Sequence, residues 1–301
     1  MYIVAYRKIF YIVSGILVAL SFLGIFTWGL NLGVDFKGGS VLEVEYKDAR
    51  PAVEVVDAKV ANLSLSHTIR STGDKGFILK TKILDEPSRL ALMKALAVNG
   101  AEPETKRLST VGPLLGSESA RKSAVSIVLV IICIVLFITF AFRKVSKPVA
   151  SWKYGVIAVL ALVHDVIVPT GVFVVLGHFG GVEVDTLFVT ALLVILGFSI
   201  HDTIVVFDRV RENLRINEDH RDRKPFDQIV GEGINQTFIR SINTSLTTVL
   251  ALVVLYFFGA EATKYFSLAL IVGIIAGTYS SVFIASPLLV TVEKWQNKKV
   301  K

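Results

Sequence analysis

The sequence predicts an α-helical membrane protein: six transmembrane helices, with a small α+β ferredoxin-like domain between helices 1 and 2. Three observations carry this. Hydrophobic residues make up 53% of the 301 and the mean hydropathy is +0.63, too apolar for an ordinary soluble domain. Those residues gather in six long blocks, each suited to a hydrocarbon core of about 30 Å. Residues 31–121, after the first block, are instead polar and patterned like a soluble domain.

Ile9–Leu30 opens the series. Arg7 and Lys8 precede it, and Asn31-Leu-Gly-Val-Asp-Phe-Lys37 follows it with no small-residue cleavage site. It therefore reads as an uncleaved first helix, not a signal peptide. Within residues 31–121, Val41–Tyr46 alternates as a strand and Val53–Leu63 has helical spacing. His67–Ser71 and Phe77–Ile83 read as strands about the turn Thr72-Gly-Asp-Lys-Gly76. Pro87–Val98 is a helix with Asp85 as N-cap and Pro87 in its first turn, and Thr105–Thr110 is a last strand. The order βαββαβ is the ferredoxin-like arrangement. The remaining blocks are Ala124–Phe142, Tyr154–Leu176, Val184–Phe207, Phe238–Phe258 and Tyr265–Val292, the last long enough to tilt. The expected division is residues 1–30 with helix 1, the domain at 31–121, helices 2–6 over 122–293 and a basic tail at 294–301.

The net charge of +7 does not point to nucleic acid, because the basic residues cluster at the ends of the apolar blocks. Arg7 and Lys8 lie on one side of a six-span topology, with Arg143, Lys144, Lys147 and Lys153. So do Arg209, Arg211, Arg215, Arg221, Arg223 and Lys224, and the tail residues Lys294, Lys298, Lys299 and Lys301. The opposite short loops, Gly177–Asp185 and Gly259–Lys264, hold only Lys264. The positive-inside rule then places both termini in the cytoplasm and residues 31–121 outside. The run Asp208–Lys224 sets topology, with contact to anionic lipid or a cytosolic partner as the competing role. Cys133, the single cysteine, excludes an internal disulfide and a cysteine metal site. No Walker loop, Ser/His/Asp constellation or zinc pattern occurs, and His67, His178 and His220 stand isolated. Neither an enzyme nor a bound metal or cofactor is expected.

Asp202 lies in Gly197-Phe-Ser-Ile-His-Asp-Thr-Ile-Val-Val-Phe-Asp-Arg-Val-Arg-Glu-Asn213, about 9 Å inside the charged boundary at the helical rise. An ionisable group there costs roughly 2.5–3.5 kcal/mol on insertion scales, which marks ion or proton pathways. A structural acid pinned by a helix–helix hydrogen bond is the alternative. In the next block Gln236, Arg240, Asn243, Thr244 and Thr247 fall at spacings of three and four and share a face. The two helices are antiparallel neighbours, so Arg240 is expected opposite Asp202 at similar depth; an arginine snorkelling to the headgroups is the alternative. His164 and Asp165, in the middle of the third span, read either as a hydrogen-bonded glue or as a proton relay, with Pro169 one turn on as a kink. Gly273, Gly277, Ser281 and Ala285 form a small-residue ladder that admits close approach, by a partner subunit or by a helix of the same chain.

Four motifs resemble the SecF family of protein-translocase subunits, within the SecD/SecF group of the RND superfamily. They are Gly33-Val-Asp-Phe-Lys-Gly-Gly39, Ala161-Leu-Val-His-Asp165, the Gly197–Asn213 stretch, and Arg240 with Thr244-Ser-Leu-Thr-Thr248. The resemblance implies an RND-type half in the bacterial cytoplasmic membrane. It also implies SecD in a heteromeric complex, the SecYEG translocon and YajC as partners, and preproteins moved on the outer side by the proton gradient. Carried over by position, the proton-linked acid is Asp202 and its basic partner Arg240, and the first motif supplies Asp35, Phe36, Gly38 and Gly39. His201 stands where the family often has Asn; it joins the relay, tunes Asp202 or donates a hydrogen bond. The chain's length argues for SecD as a separate chain.

The expected mechanism is that protonation of Asp202 weakens a pair with Arg240, the helices shift, and the attached outer domain swings. Two rivals remain. An RND-type exporter half for small molecules or lipids would be expected to carry a larger outer region, because a domain of this size is small for a pocket of roughly 300–1,000 Å³. A passive translocon scaffold would tolerate apolar residues at both positions.

Overall fold

The computed structural model describes residues 2–63, 65–98, 100–142, 149–220 and 224–299. The basic positions Arg143, Lys144, Lys147, Arg221, Arg223 and Lys301 lie outside them. The chain forms two compact units. A helical unit takes in Met1–Asn31, Val125–Val182 and Leu187–Lys301, and a sheet unit takes in Leu32–Ala124 and Glu183–Thr186. In chain order the first elements are α1 (Tyr2–Ala5), α2 (Arg7–Trp28), α3 (Val34–Lys37), β1 (Gly39–Glu45), α4 (Val53–Ala61), β2 (His67–Thr72) and β3 (Gly76–Thr81). There follow α5 (Glu86–Leu96), β4 (Glu104–Val111), α6 (Pro113–Ala141), α7 (Ser151–Gly180), α8 (Thr186–Asp219) and α9 (Phe226–Phe258). The chain ends in α10 (Glu261–Ser280), a π-turn (Ser281–Ala285) and α11 (Ser286–Lys299).

In the sheet unit β1 pairs with β3 and β4, and β2 with β3, all antiparallel, in the order β2-β3-β1-β4. That is the ferredoxin-like order expected from βαββαβ. Strand alternation puts Leu42, Val44, Phe77 and Leu79 into one core with Val56, Val60, Leu92 and Leu96 from α4 and α5. The Tyr46 hydroxyl reaches that core and donates to Leu96 O at 2.7 Å; burial pushes its pKa up to about 12. Asp85 caps α5, accepting the Ser88 N–H at 3.0 Å, and the hydrogen bonding from Ser88 holds its carboxyl below the ordinary value.

The turn into β1 needs its glycines. Gly38 has φ 78° and Gly39 φ 146°, and a Cβ on Gly39 would sit 2.5 Å from Thr81 O, so side chains are excluded there on both counts. The segment Glu183–Thr186 completes this unit. Leu32 bridges Val184, Gly33 N–H donates to Val184 O at 2.8 Å, and Lys80 pairs with Glu183 at 2.8 Å. Asp35 Oδ2 accepts the Thr186 N–H at 3.1 Å and its hydroxyl at 2.7 Å. Asp35 therefore satisfies two donors in the first turn of α8.

Among the described residues, six helical stretches are long and apolar enough to cross a membrane: α2, α6, α7, α8, α9, and α10 continuing through α11. Two run well past the apolar window. The 34 residues of α8 extend about 50 Å at 1.5 Å per residue, because the charged run after Phe207 stays helical, with i,i+3 and i,i+4 pairs such as Arg209–Glu212 and Arg215–Asp219. α9 starts at Phe226, not Phe238. Gln236 Oε1 accepts from Arg209 Nε at 2.6 Å and Asn213 Nδ2 at 2.9 Å, joining the two extensions. The unit is apolar outside and polar within. Ile9, Ile12, Ile16 and Leu20 of α2 are exposed, whereas His164, Asp165, Ser199, Asp202 and Thr203 are buried, as expected where lipid is the solvent.

Candidate functional site

Buried polar groups of several helices meet inside the helical unit. α8 presents Ser199, Asp202 and Thr203 at spacings i, i+3 and i+4, which share a face. α7 brings His164 and Asp165. α10 and the π-turn bring Thr278, Ser280 and Ser281. The close approach depends on the small-residue ladder: a Cβ on Gly273 would overlap the Ile195 side chain, and one on Gly277 would sit 2.9 Å from Ser199 Cβ. Ser281 then bonds Thr203 Oγ1 at 2.8 Å and donates to Ser199 O at 3.3 Å. The ladder thus packs within the chain.

Asp202 is 2% exposed. Its carboxyl faces the hydroxyls of Thr278 and Ser245, which bond each other at 2.5 Å, while Oδ2 has no hydrogen-bond partner. A groove of about 340 Å³, lined otherwise by apolar residues such as Ile242, Leu246 and Phe283, reaches that same Ser245–Thr278 pair.

Asp165 is the more deeply embedded acid, with no exposed surface. Oδ1 and His164 Nδ1 share a hydrogen bond at 2.8 Å. Oδ2 accepts from the Ser199 hydroxyl and from the Ser280 hydroxyl at 2.7 Å. One carboxylate therefore ties α7, α8 and α10 together. His164 is 5% exposed and its Nε2 is buried without a partner.

Arg240 is placed differently from the expectation. α9 turns Thr237, Ser241 and Ser245 inward, and the stripe Gln236, Arg240, Asn243, Thr244 and Thr247 is exposed. Arg240 makes no ion pair with Asp202 within 4 Å; it and the exposed His201 act on that carboxyl only through space. The physical reason is azimuth. Small hydroxyl residues fit the tight α9–α10 contact, and a guanidinium does not. The sequence reading missed Ser245 and Thr278, although Thr237, Ser241 and Ser245 carry a signal of their own, small hydroxyls repeating every fourth residue. Asp35, Phe36, Gly38 and Gly39 belong to the sheet unit, where Phe36 is 7% exposed and the others shape the turn and the α8 cap. Among the described residues no group of three His, Cys, Asp or Glu is arranged to hold a metal ion. What the cluster can do is take up a proton on Asp202, whose free oxygen lies among hydroxyls that both donate and accept.

Two family models match the chain. The SecD/SecF protein export membrane protein C-terminal model covers residues 91–295, and the SecD/SecF GG motif covers 24–49. Protein translocase subunit SecF of Thermobaculum terrenum is 40% identical over 98% of this chain and 94% of its own length. That of Sebaldella termitidis is 36% identical over 96% of this chain and 91% of its own. The crystal structure of SecDF, a translocon-associated membrane protein, from Thermus thermophilus matches with a TM-score of 0.83 and 31% identity, covering 99% of this chain and 39% of that one. A super-membrane-facing form of SecDF matches with a TM-score of 0.66 and 29% identity, again over 99% of this chain and 39% of that one. The buried acids, the glycine turn and helices α6 to α10 fall inside the residues the two models match, and the chain belongs to the SecD/SecF family of protein-export membrane proteins.

Proposed function

We propose that this chain is a SecF-type accessory subunit of the Sec translocase, which uses the proton gradient to promote preprotein export. Its partner is a SecD-type six-helix subunit, with SecYEG and YajC beside them in the bacterial cytoplasmic membrane. The near end-to-end similarity to translocase subunits SecF supports the assignment. The observation that carries the mechanism is the Asp202 carboxyl, 2% exposed within a span, with one oxygen lacking a partner. A buried, under-bonded acid among hydroxyls is suited to gaining and losing a proton.

The exposed stripe of α9 supports the second subunit. Beside Thr244 and Thr247, whose hydroxyls bond back to the helix carbonyls, Arg240 and Asn243 face outward from a membrane-spanning helix, where hydrocarbon would leave them unsatisfied. Another bundle, or water held between the two, satisfies them. The cluster of basic residues at one set of helix ends supports cytoplasmic termini and a sheet unit on the outer face.

In this mechanism the separated arrangement of Asp202 and Arg240 is the proton-loaded state. Loss of the proton draws the guanidinium toward the carboxylate and turns α9 against α8. One proton crossing the field supplies about 2.3 kcal/mol per 100 mV, enough to bias two states although below the roughly 5.5 kcal/mol of a complete switch. The test is Asp202→Asn in the assembled complex in sealed membrane vesicles. Gradient-dependent export is expected to be lost while the subunits still co-purify. Export at the wild-type rate would overturn the reading.

A further inference from the structure

We propose that Asp35 and the Lys80–Glu183 pair are positioning residues that couple the membrane bundle to the outer domain: they fasten the first turn of α8, the helix that carries Asp202, to the sheet unit, so that a shift of α8 is delivered there. This deepens the proton-coupled reading and rests on it. The sheet unit spans Leu32–Ala124 and also takes in the distant segment Glu183–Thr186. Leu32 bridges Val184, and the Gly33 N–H donates to Val184 O at 2.8 Å. Lys80 and Glu183 pair at 2.8 Å with side chains only 21% and 11% exposed, so water screens them less than an ordinary surface pair. Asp35 Oδ2 takes both donors of Thr186, at 3.1 and 2.7 Å, from 151 residues away. An N-cap side chain serves N–H groups one or two residues further in. The Thr186 N–H, at the first helical position, therefore needs an acceptor from outside the helix, and a carboxylate there also meets the positive end of the helix dipole.

The same turn grips α6. A Cβ on Gly116 would sit 2.8 Å from Gly38 N and 2.9 Å from Phe36 O, and one on Gly38 would sit 2.9 Å from Pro113 Cα. The turn from Gly33 to Gly39 thus meets the starts of both α6 and α8. Those are the two helices with residues in both units, α6 dividing after Ala124 and α8 after Thr186. By contrast α2 ends at Trp28, and Gly29 at φ 72° stops the helix before the sheet unit begins. α6 carries neither buried acid. α8 carries Asp202, which lies beyond Thr186 on the same unbroken helix, about 24 Å along its axis at 1.5 Å per residue. A continuous helix is a rigid element, and it joins two sites when each of them biases its position. Without Asp35 and the ion pair, α8 would meet the sheet unit only through the short segment before it, which would absorb the shift.

The experiment is Asp35→Ala in the assembled complex in sealed membrane vesicles, with preprotein export and gradient-driven proton leak through the complex read on the same sample. Export is expected to fall by about tenfold while the leak stays within about twofold of wild type, the signature of a proton step no longer tied to its output. A merely structural role would lower both together. Glu183→Lys is expected to lower export in the same way, and adding Lys80→Glu to that chain should restore it, because the swap rebuilds the ion pair. If Asp35→Ala does not assemble, Thr186→Val, which removes only the hydroxyl, is held to the same two readouts. Export at the wild-type rate, export and leak falling together in an assembled complex, or a charge swap that restores nothing would overturn the proposal. Failure of the proton-coupled reading looks different: it is export that survives Asp202→Asn.

Discussion

In the sheet unit, Leu42, Val56, Phe77, Leu79 and Leu92 are fully buried and the charged residues line the outside. In the helical unit Asp165 and Asp202 are buried, and Ile9, Phe26 and Phe140 face out. The same side chains occupy opposite places because the solvent differs. Water drives apolar area inward in the first case. Lipid is as apolar as leucine, so the second is held by close packing at small residues and by hydrogen bonds that have no substitute in hydrocarbon.

The sharpest test of that contrast is Asp202→Asn, which removes a charge state while keeping shape. We expect gradient-dependent export to fall by roughly tenfold or more with little change in detergent stability, because the cluster's hydrogen bonds hold without it. Leu79→Ala addresses the other unit and is expected to cost about 2–5 kcal/mol there. Hydrogen exchange on the full chain reads it as faster exchange in β1, β3 and α5, with α7 and α8 unchanged. Gly277→Leu should destabilise the α8–α10 contact by about 1–3 kcal/mol through overpacking, seen as unfolding at lower denaturant. Gly15→Leu, on a helix face with nothing within 4 Å of the added carbon, should leave the midpoint where it was. The smallest effect concerns pH. Asp85 sits below its ordinary value of 3.8, so its cap is fully in place above that value and is lost as pH falls through the folded value. The stability gap between the wild type and Asp85→Ala should close on acidification.

The six spans were readable because hydropathy is a property of composition over a whole turn-rich window, and the βαββαβ order because alternation and Asp85's capping are local. Helix ends were less readable. Charge after Phe207 marks where the apolar window stops, but the helix continues to Asp219 on side-chain ion pairs. Azimuth was the least legible. Polar residues occur on both the buried and the exposed faces of α9, so their spacing reveals two stripes without saying which points inward. Arg240 lies on the exposed stripe and Ser245 on the buried one, a difference that hydroxyls, weak signals singly, do not announce. Asp165 was seen, but its triple hydrogen bonding needs Ser199 and Ser280 from helices far away in sequence.

The π-turn at Ser281–Ala285 has a consequence for the register of the last helix. The Ser286 N–H reaches back to Ser281 O, five residues away, so this stretch holds one residue more than an α-helix would use. Deleting a single residue there would let the stretch close as ordinary α-helix and leave Thr291 beside the Tyr11 hydroxyl it meets at 3.1 Å, whereas a deletion between Ser286 and Thr291 would rotate everything beyond by about 100°. The π-turn is thus a slack link in the last span, where a one-residue deletion is absorbed that would mis-clock the bundle anywhere beyond it.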